Sequence, residues 1–340
     1  MLNKIINKVK IELSYYTGEY SIPPQYISLI LTFRCNFRCK SCSIWKNTDF
    51  SKEITDKDWL NIADQLISFL PKSSSIELNG GEPLIKKALV LKLIKKLSSY
   101  FDEIALNTNG LLINKEIVQE LKKAGLDKIK ISFYSLDKRE HNYLRGTAGA
   151  FDAAKKAVDI VVQSKLGLEV GILITSVNIE NIPFLIEYLS QRSAKIILQP
   201  LDEVVESSDS KNMKTNFLPK KLWPSKAKVK KLFLWLEKNK DQTNIVNSDS
   251  SLKAIMEYYL DPKSALNFRC FAGIRNLVIY PDGKLAFCFK APAIGNCKGK
   301  DVSKILLESK EKRKQLKTCK KYCRILGCNF ARGFKEFFKR

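Results

Sequence analysis

The chain reads as an α/β protein, a partial (β/α)6 TIM-like barrel followed by a small C-terminal α+β domain, and three observations predict this. Between Tyr26 and about Leu201, short β-branched runs alternate with helical patterns at a spacing of roughly thirty residues, as repeated βα units do. That rhythm stops near Asp202, and Pro281-Asp282-Gly283 later marks a tight hairpin. Nine cysteines fall in two groups, with none between positions 42 and 270.

The elements follow in order. Strands are expected at Tyr26–Phe33, Ser75–Asn79, Glu103–Thr108, Lys128–Phe133, Leu168–Thr175 and Lys195–Pro200. Between the first two, Trp59, Ile62, Ala63, Leu66, Ile67 and Leu70 mark one helical face, and Thr55 with Asp58 forms a capping-box pattern. Asn181 before Pro183 marks a later helix start. Beyond the barrel, helices are expected at Ser225–Asn239 and Ser250–Tyr259, then strands Asn276–Tyr280 and Lys284–Phe289, then a basic helix near Val302–Lys317. The segments so defined are a basic amphipathic stretch (1–24), the barrel (25–201), a linker with packing helices (202–266), the cysteine-bearing domain (267–332) and a basic aromatic tail (333–340).

Composition excludes several classes. With 340 residues, 45% of them apolar, the chain is neither disordered nor a coiled coil. No apolar run reaches the roughly 18 residues of a spanning helix. The first residues, broken by Lys4, Lys8 and Lys10, lack the apolar core of a signal peptide, so a reducing cytoplasm is the expected location. The net charge of +24 permits nucleic-acid, membrane or anionic partners, but no RNA-binding module is recognisable and nucleic acid is disfavoured. Leu2, Ile5, Ile6, Val9 and Leu13 form an apolar stripe, as do Phe330, Phe334, Phe337 and Phe338. Such ends can lie on an anionic membrane, and docking on the parent domain is the preferred reading.

The chemistry sits at loops after strands, the face where barrels of this kind gather their sites. Nine cysteines, an odd number, fit a disulfide framework poorly and point to metal or cluster ligation. His141 is the only histidine, which argues against imidazole-rich zinc sites and Ser-His-Asp catalysis, and it is expected at the surface or on a helix face rather than as a base. Cys35-x3-Cys39-x2-Cys42 follows the first strand and can cap three corners of an iron-sulfur cube, leaving one iron open. Zinc, the alternative, needs a fourth ligand. Gly80-Gly81-Glu82-Pro83 follows the second strand and alone reads as a turn before a helix start. Asn107-Thr108-Asn109-Gly110 ends the third strand, Ser132, Ser135 and Asp137 the fourth, and Gln199 the sixth.

CNFRCKSC after strand one with NGGEP after strand two resembles the radical S-adenosylmethionine (SAM) superfamily, from about Tyr26 to Arg332. The resemblance implies a 4Fe-4S cluster on Cys35, Cys39 and Cys42, chelated by the amine and carboxylate of SAM. An electron from a donor such as flavodoxin or ferredoxin would then release a 5′-deoxyadenosyl radical. Gly80, Gly81, Glu82 and Pro83 would lie against SAM, with Glu82 facing its ammonium, Ser132 or alternatively Asn109 holding it, and Arg145 pairing with its carboxylate. Ser41 departs from the bulky residue usual before the third cysteine, which bears on adenine packing.

The C-terminal group, CFAG through IYPDGKLAFC to a late cysteine cluster, resembles the twitch domain, the short form of the SPASM extension, and so implies an auxiliary 4Fe-4S cluster. Cys270 and Cys288 match it best, and Cys323 with Cys319 or Cys328 completes four ligands. A structural zinc is the alternative there. Cys297 reads first as a small buried hydrophobe. The implied activity is radical modification, by oxidation or cross-linking, of a peptide or small-molecule substrate. The competing readings are an iron-sulfur electron carrier and an RNA-modifying radical enzyme.

Overall fold

The computed structural model describes residues 2–18, 22–201, 204–205, 216–217 and 220–323. A helix α1 (Leu2–Thr17) precedes six parallel strands: β1 (Tyr26–Ile30), β2 (Ser75–Asn79), β3 (Glu103–Thr108), β4 (Lys128–Ser132), β5 (Gly167–Ile174) and β6 (Lys195–Pro200). Parallel pairing needs crossovers. These are α2 (Asp56–Phe69), α3 (Lys87–Leu97), α4 (Lys115–Ala124), α5 (Lys138–Arg145) with α6 (Ala150–Ser164), and α7 (Ile182–Ser190). The strands lie in chain order and the sheet does not close, so the architecture is the expected partial barrel.

Pleating explains the layers. Ile76, Leu78, Ile104, Leu106, Ile129, Ile131, Val170 and Ile172 turn outward under the helices and are almost wholly buried, packed with Trp59, Ile62 and Leu66 of α2. The alternate positions face inward and are polar. Glu77, Lys130 and Glu169 meet there across β2, β4 and β5, and Lys128 pairs with Glu103 at 2.9 Å. Burial alone would lower the Lys130 ammonium, but Glu77 and Glu169 outweigh it and hold its pKa above the usual lysine range.

Beyond β6, a short pair β7 (Val204–Val205) and β8 (Asn216–Phe217) precedes α8 (Lys226–Asn239) and α9 (Asp249–Leu260). The edge of β6 is covered. Ile196 N–H donates to the Asn244 carbonyl, Val246 N–H to that of Ile196, and the Asn247 side chain bonds both backbone groups of Leu198. The short helix α10 (Ala272–Arg275) leads into β9 (Asn276–Ile279), β10 (Lys284–Ala286) and β11 (Gly295–Asn296), and α11 (Val302–Glu308) and α12 (Lys310–Leu316) follow. Because β9 pairs in parallel with β1, this hairpin prolongs the barrel sheet to nine strands.

Three expectations need correction. The first strand ends at Ile30, because Glu53 accepts from the Thr32 hydroxyl and the Phe33 amide and turns the chain away. The basic helix is two helices, broken at Ser309, whose hydroxyl donates back to the Leu306 carbonyl. The described part of the N-terminal stripe does not dock: Ile6, Val9 and Leu13 are exposed, and α1 packs instead through Ile11 and Tyr15, while the side chains of Leu2 and Ile5 lie outside the described ones. Tyr15 stacks on Phe271 at 4.9 Å and Glu12 pairs with Arg269, which together set the helix's rotation. The C-terminal stripe from Phe330 to Phe338, and Cys328, lie outside the described residues. Among the described residues no helix is long and apolar enough to cross a membrane.

Candidate functional site

A cavity of about 340 Å³ opens at the C-terminal ends of the strands. Cys35, Cys39, Cys42, Gly80, Gly81, Asn109, Ser132 and Arg145 all line it, together with Gln199 from β6. Residues spread over more than a hundred positions of sequence thus meet at one mouth.

The three thiols sit on the loop after β1, against Phe37 and Ala150. Phe37 N–H donates to Cys35 Sγ at 3.4 Å. Burial raises the Cys35 thiol above its ordinary value and pushes Cys42 up to about 11. At neutral pH such thiols ionise only beside a strong cation, so the set fits a group that supplies one. Among the described residues no three His, Cys, Asp or Glu side chains converge on a single-ion site. A zinc ion needs its sulfurs about 2.3 Å from one centre, whereas a cube spreads its thiolates over separate irons.

The loop is held by backbone contacts that only glycine permits. Gly81 N–H donates to the Thr32 carbonyl and Glu82 N–H to that of Arg34, both at 2.8 Å. A Cβ on Gly81 would lie 2.2 Å from the Arg34 carbonyl oxygen. On the other side Lys40 N–H donates to the Leu144 carbonyl, and a Cβ on Gly146, at φ +62°, would meet the Arg38 carbonyl at 1.9 Å. The close approach at Gly81 is therefore to the cysteine loop itself.

Glu82 and Pro83 do not line the cavity. Glu82 is wholly buried, and its carboxylate accepts from Thr108 Oγ1 at 2.9 Å, Asn109 N–H at 2.9 Å and Leu84 N–H at 3.1 Å. Burial raises its pKa despite these donors. Three of about four acceptor positions are filled, so the side chain ties the Gly80–Pro83 turn to the end of β3. Pro83 starts a 3-10 turn. Ser135 and Asp137 are also used internally: the Ser135 hydroxyl donates to Glu140, and Asp137 caps α5.

Arg145 is only 6% exposed and ion-pairs with no carboxylate among the described residues. Its guanidinium lies 5.3 Å from the Phe37 ring centre and 5.0 Å from that of Tyr134, and Nη1 donates to Tyr134 Oη at 3.0 Å. Nε has no partner among the described residues. A buried cation with an unused donor, lining a cavity, is a receptor for an anion. His141 lies on the helix α5, as one of its two expected placements had it, but on the buried face and not at the surface: Nδ1 accepts from Tyr134 N–H at 3.1 Å, and burial, then the nearby Arg145, holds its pKa down to about 3.

Sequence reasoning passed over Trp45, Tyr134 and Gly146. Trp45 lines the cavity and its indole N–H donates to the Cys39 carbonyl at 3.2 Å. Its position just past the third cysteine was a usable signal, as was Gly146 directly after a helix end.

Residues 29–189 match the family described as the Radical SAM superfamily. These residues form a radical SAM domain. The relatives of this chain include the PqqA peptide cyclase of Granulibacter bethesdensis, 29% identical over 166 residues, covering 48% of this chain and 44% of that protein. The GTP 3′,8-cyclase of Helicobacter pylori is 34% identical over 182 residues, 50% of this chain and 54% of that protein. The chain thus spans about half the length of the curated relatives it matches. Among solved structures, Streptococcus suis SuiB bound to S-adenosylmethionine is alike in fold, with TM-score 0.63 and 17% identity over 84% of this chain and 66% of that one. The structure of anSMEcpe with AdoMet and the Cp18Cys peptide gives 0.65 and 17%, over 90% and 85%.

Outside the radical SAM domain, Cys270, Cys319 and Cys323 lie near Cys288 of the hairpin region. The Cys288 thiol is pushed up to about 12, first by burial and then by Cys270, Cys323 and Cys319 as neighbours. Cys319 is exposed and Cys270 and Cys323 are half-buried. Lys290 N–H donates to Cys288 Sγ at 3.3 Å. Cys297 stands apart in the main apolar core, its thiol on the Gly283 carbonyl at 3.1 Å, as a packing residue.

Proposed function

We propose that this chain is a radical SAM enzyme that modifies a peptide, with one 4Fe-4S cluster at the barrel mouth and an auxiliary one in the hairpin region. When bound, SAM and the first cluster supply a 5′-deoxyadenosyl radical that takes a hydrogen atom from substrate. The remaining roles belong to the chain. Cys35, Cys39 and Cys42, which line the cavity, would hold three irons of the cube and leave one without a thiolate. Arg145 receives the methionine carboxylate through its unused donor, with Asn109 and Ser132 on the same wall. Glu82 fixes the turn on which Gly80 and Gly81 present their backbone. The Glu77–Lys130–Glu169 layer ties β2, β4 and β5 together inside the barrel.

Cys270, Cys288, Cys319 and Cys323 are the proposed ligands of the auxiliary cluster, since Cys288 has the other three as neighbours. Residues 267–323 would then act as a twitch-type unit, and the cluster they would hold would supply an acceptor for the electron of the substrate radical, which would make the net reaction an oxidation. A low-potential donor such as flavodoxin or ferredoxin reduces the first cluster. A peptide substrate is favoured because two proteins of like fold were solved with peptides, SuiB with precursor peptide SuiA and anSMEcpe with Cp18Cys.

The observation that carries this reading is the buried, unsatisfied Arg145 beside three thiols in one cavity. Anaerobic reconstitution with SAM and a strong reductant, followed by chromatography, should yield 5′-deoxyadenosine. Cys39→Ala should abolish it, and unchanged yield from that variant would contradict the proposal.

A further inference from the structure

We propose that the outward face of α1, with the basic helix α12 beside it, lies on an anionic lipid surface. Ile6, Val9, Leu13 and Tyr16, spaced three and four residues apart, fall on one face of α1 and are 40%, 40%, 56% and 70% exposed. Among the described side chains of α1, the docked ones are Ile11, Glu12, Ser14 and Tyr15, so the more apolar set is turned to solvent. Packing onto the barrel sheet's hairpin end therefore does not explain the stripe.

The charge beside it selects the occupant. Residues 310–324 hold eight Lys and Arg against the single Glu311. This helix adjoins the end of α1: Lys317 Nζ lies 5.4 Å from the Tyr15 ring, and a Cβ on Gly18 would lie 3.6 Å from Lys314 Cε. An apolar helical face flanked by lysines is the composition that inserts at the headgroup boundary of an anionic bilayer. A second copy of this chain, at net +24, would bring like charge against like.

The test is flotation of the full chain with vesicles of phosphatidylglycerol and phosphatidylcholine in equal parts, compared with phosphatidylcholine alone. Wild type should float with the anionic vesicles only, less so at high salt. Val9→Glu with Leu13→Glu should weaken binding about tenfold or more, with an unchanged circular-dichroism melt. Leu234→Glu with Val246→Glu, exposed apolar residues on α8 and at the β6 edge, makes the same charge change and should bind as wild type. No flotation of wild type, or equal binding by the two double variants, would overturn the proposal. So would a dimer on sizing that Val9→Glu with Leu13→Glu abolishes while vesicle binding persists.

Discussion

Arg145 is held between two aromatic rings, with one donor on Tyr134 and Nε unused. Replacing it with Met keeps the packing and removes the proposed anion receptor. Equilibrium binding of SAM to the reconstituted Arg145→Met protein should weaken about tenfold to a hundredfold, the worth of charge-assisted hydrogen bonds. Arg145→Lys should not restore it, because an ammonium cannot fill the planar slot between the rings. Gly81→Ala forces a Cβ against the Arg34 carbonyl, where backbone must move. It should cost about 2 kcal/mol or more and lower the iron retained after reconstitution. His141 tests burial through pH. Its folded pKa, about 3 against 6.5 unfolded, means the unfolded chain binds the extra proton, so stability is full above pH 6.5 and falls as pH drops toward 3. By pH 5 the loss is about 2 kcal/mol. His141→Gln should show a correspondingly shallower decline in melting temperature between pH 7 and 5.

At the scale of elements, Tyr259 of α9 reaches across the barrel's end. Its hydroxyl donates to the Ile174 carbonyl and accepts from Leu201 N–H, both at 2.6 Å, tying the ends of β5 and β6 beside the cavity. Tyr259→Phe leaves a buried amide unsatisfied, so urea unfolding should show a loss of about 1–3 kcal/mol and the Leu201 amide should exchange faster. Strands β2, β3 and β6 were legible to the residue because alternation, β-branching and a breaker at each end agree. The capping box at Thr55 and Asp58 was legible for the same reason: both partners lie within one turn. The rotation of α1 was not. It is set by Phe271 and Arg269, more than two hundred and fifty residues away, and local periodicity marks a stripe without saying what it meets.

In the whole molecule, the pairing of β9 with β1 joins the hairpin region to the barrel in one sheet, so both cysteine groups belong to a continuous scaffold. The first group was legible because its ligands are adjacent in sequence on the loop after a strand. The second was less legible: Cys270, Cys319 and Cys323 come near enough to Cys288 to raise its pKa, but they reach it from different elements, and sequence spacing cannot choose among late cysteines. The roles of Glu82 and Arg145 depended on burial and partners, which a motif does not state. Their positions could be read and their bonding could not. The division of labour between the two groups is the central claim, and iron content read beside 5′-deoxyadenosine yield tests it most directly. Wild type should hold about eight irons per chain, two cubes' worth. Cys270→Ala with Cys288→Ala should hold about four and still cleave SAM, while the triple Ala variant of Cys35, Cys39 and Cys42 should hold about four and cleave none. Eight irons in either variant, or SAM cleavage that follows the C-terminal group instead of the first, would contradict it.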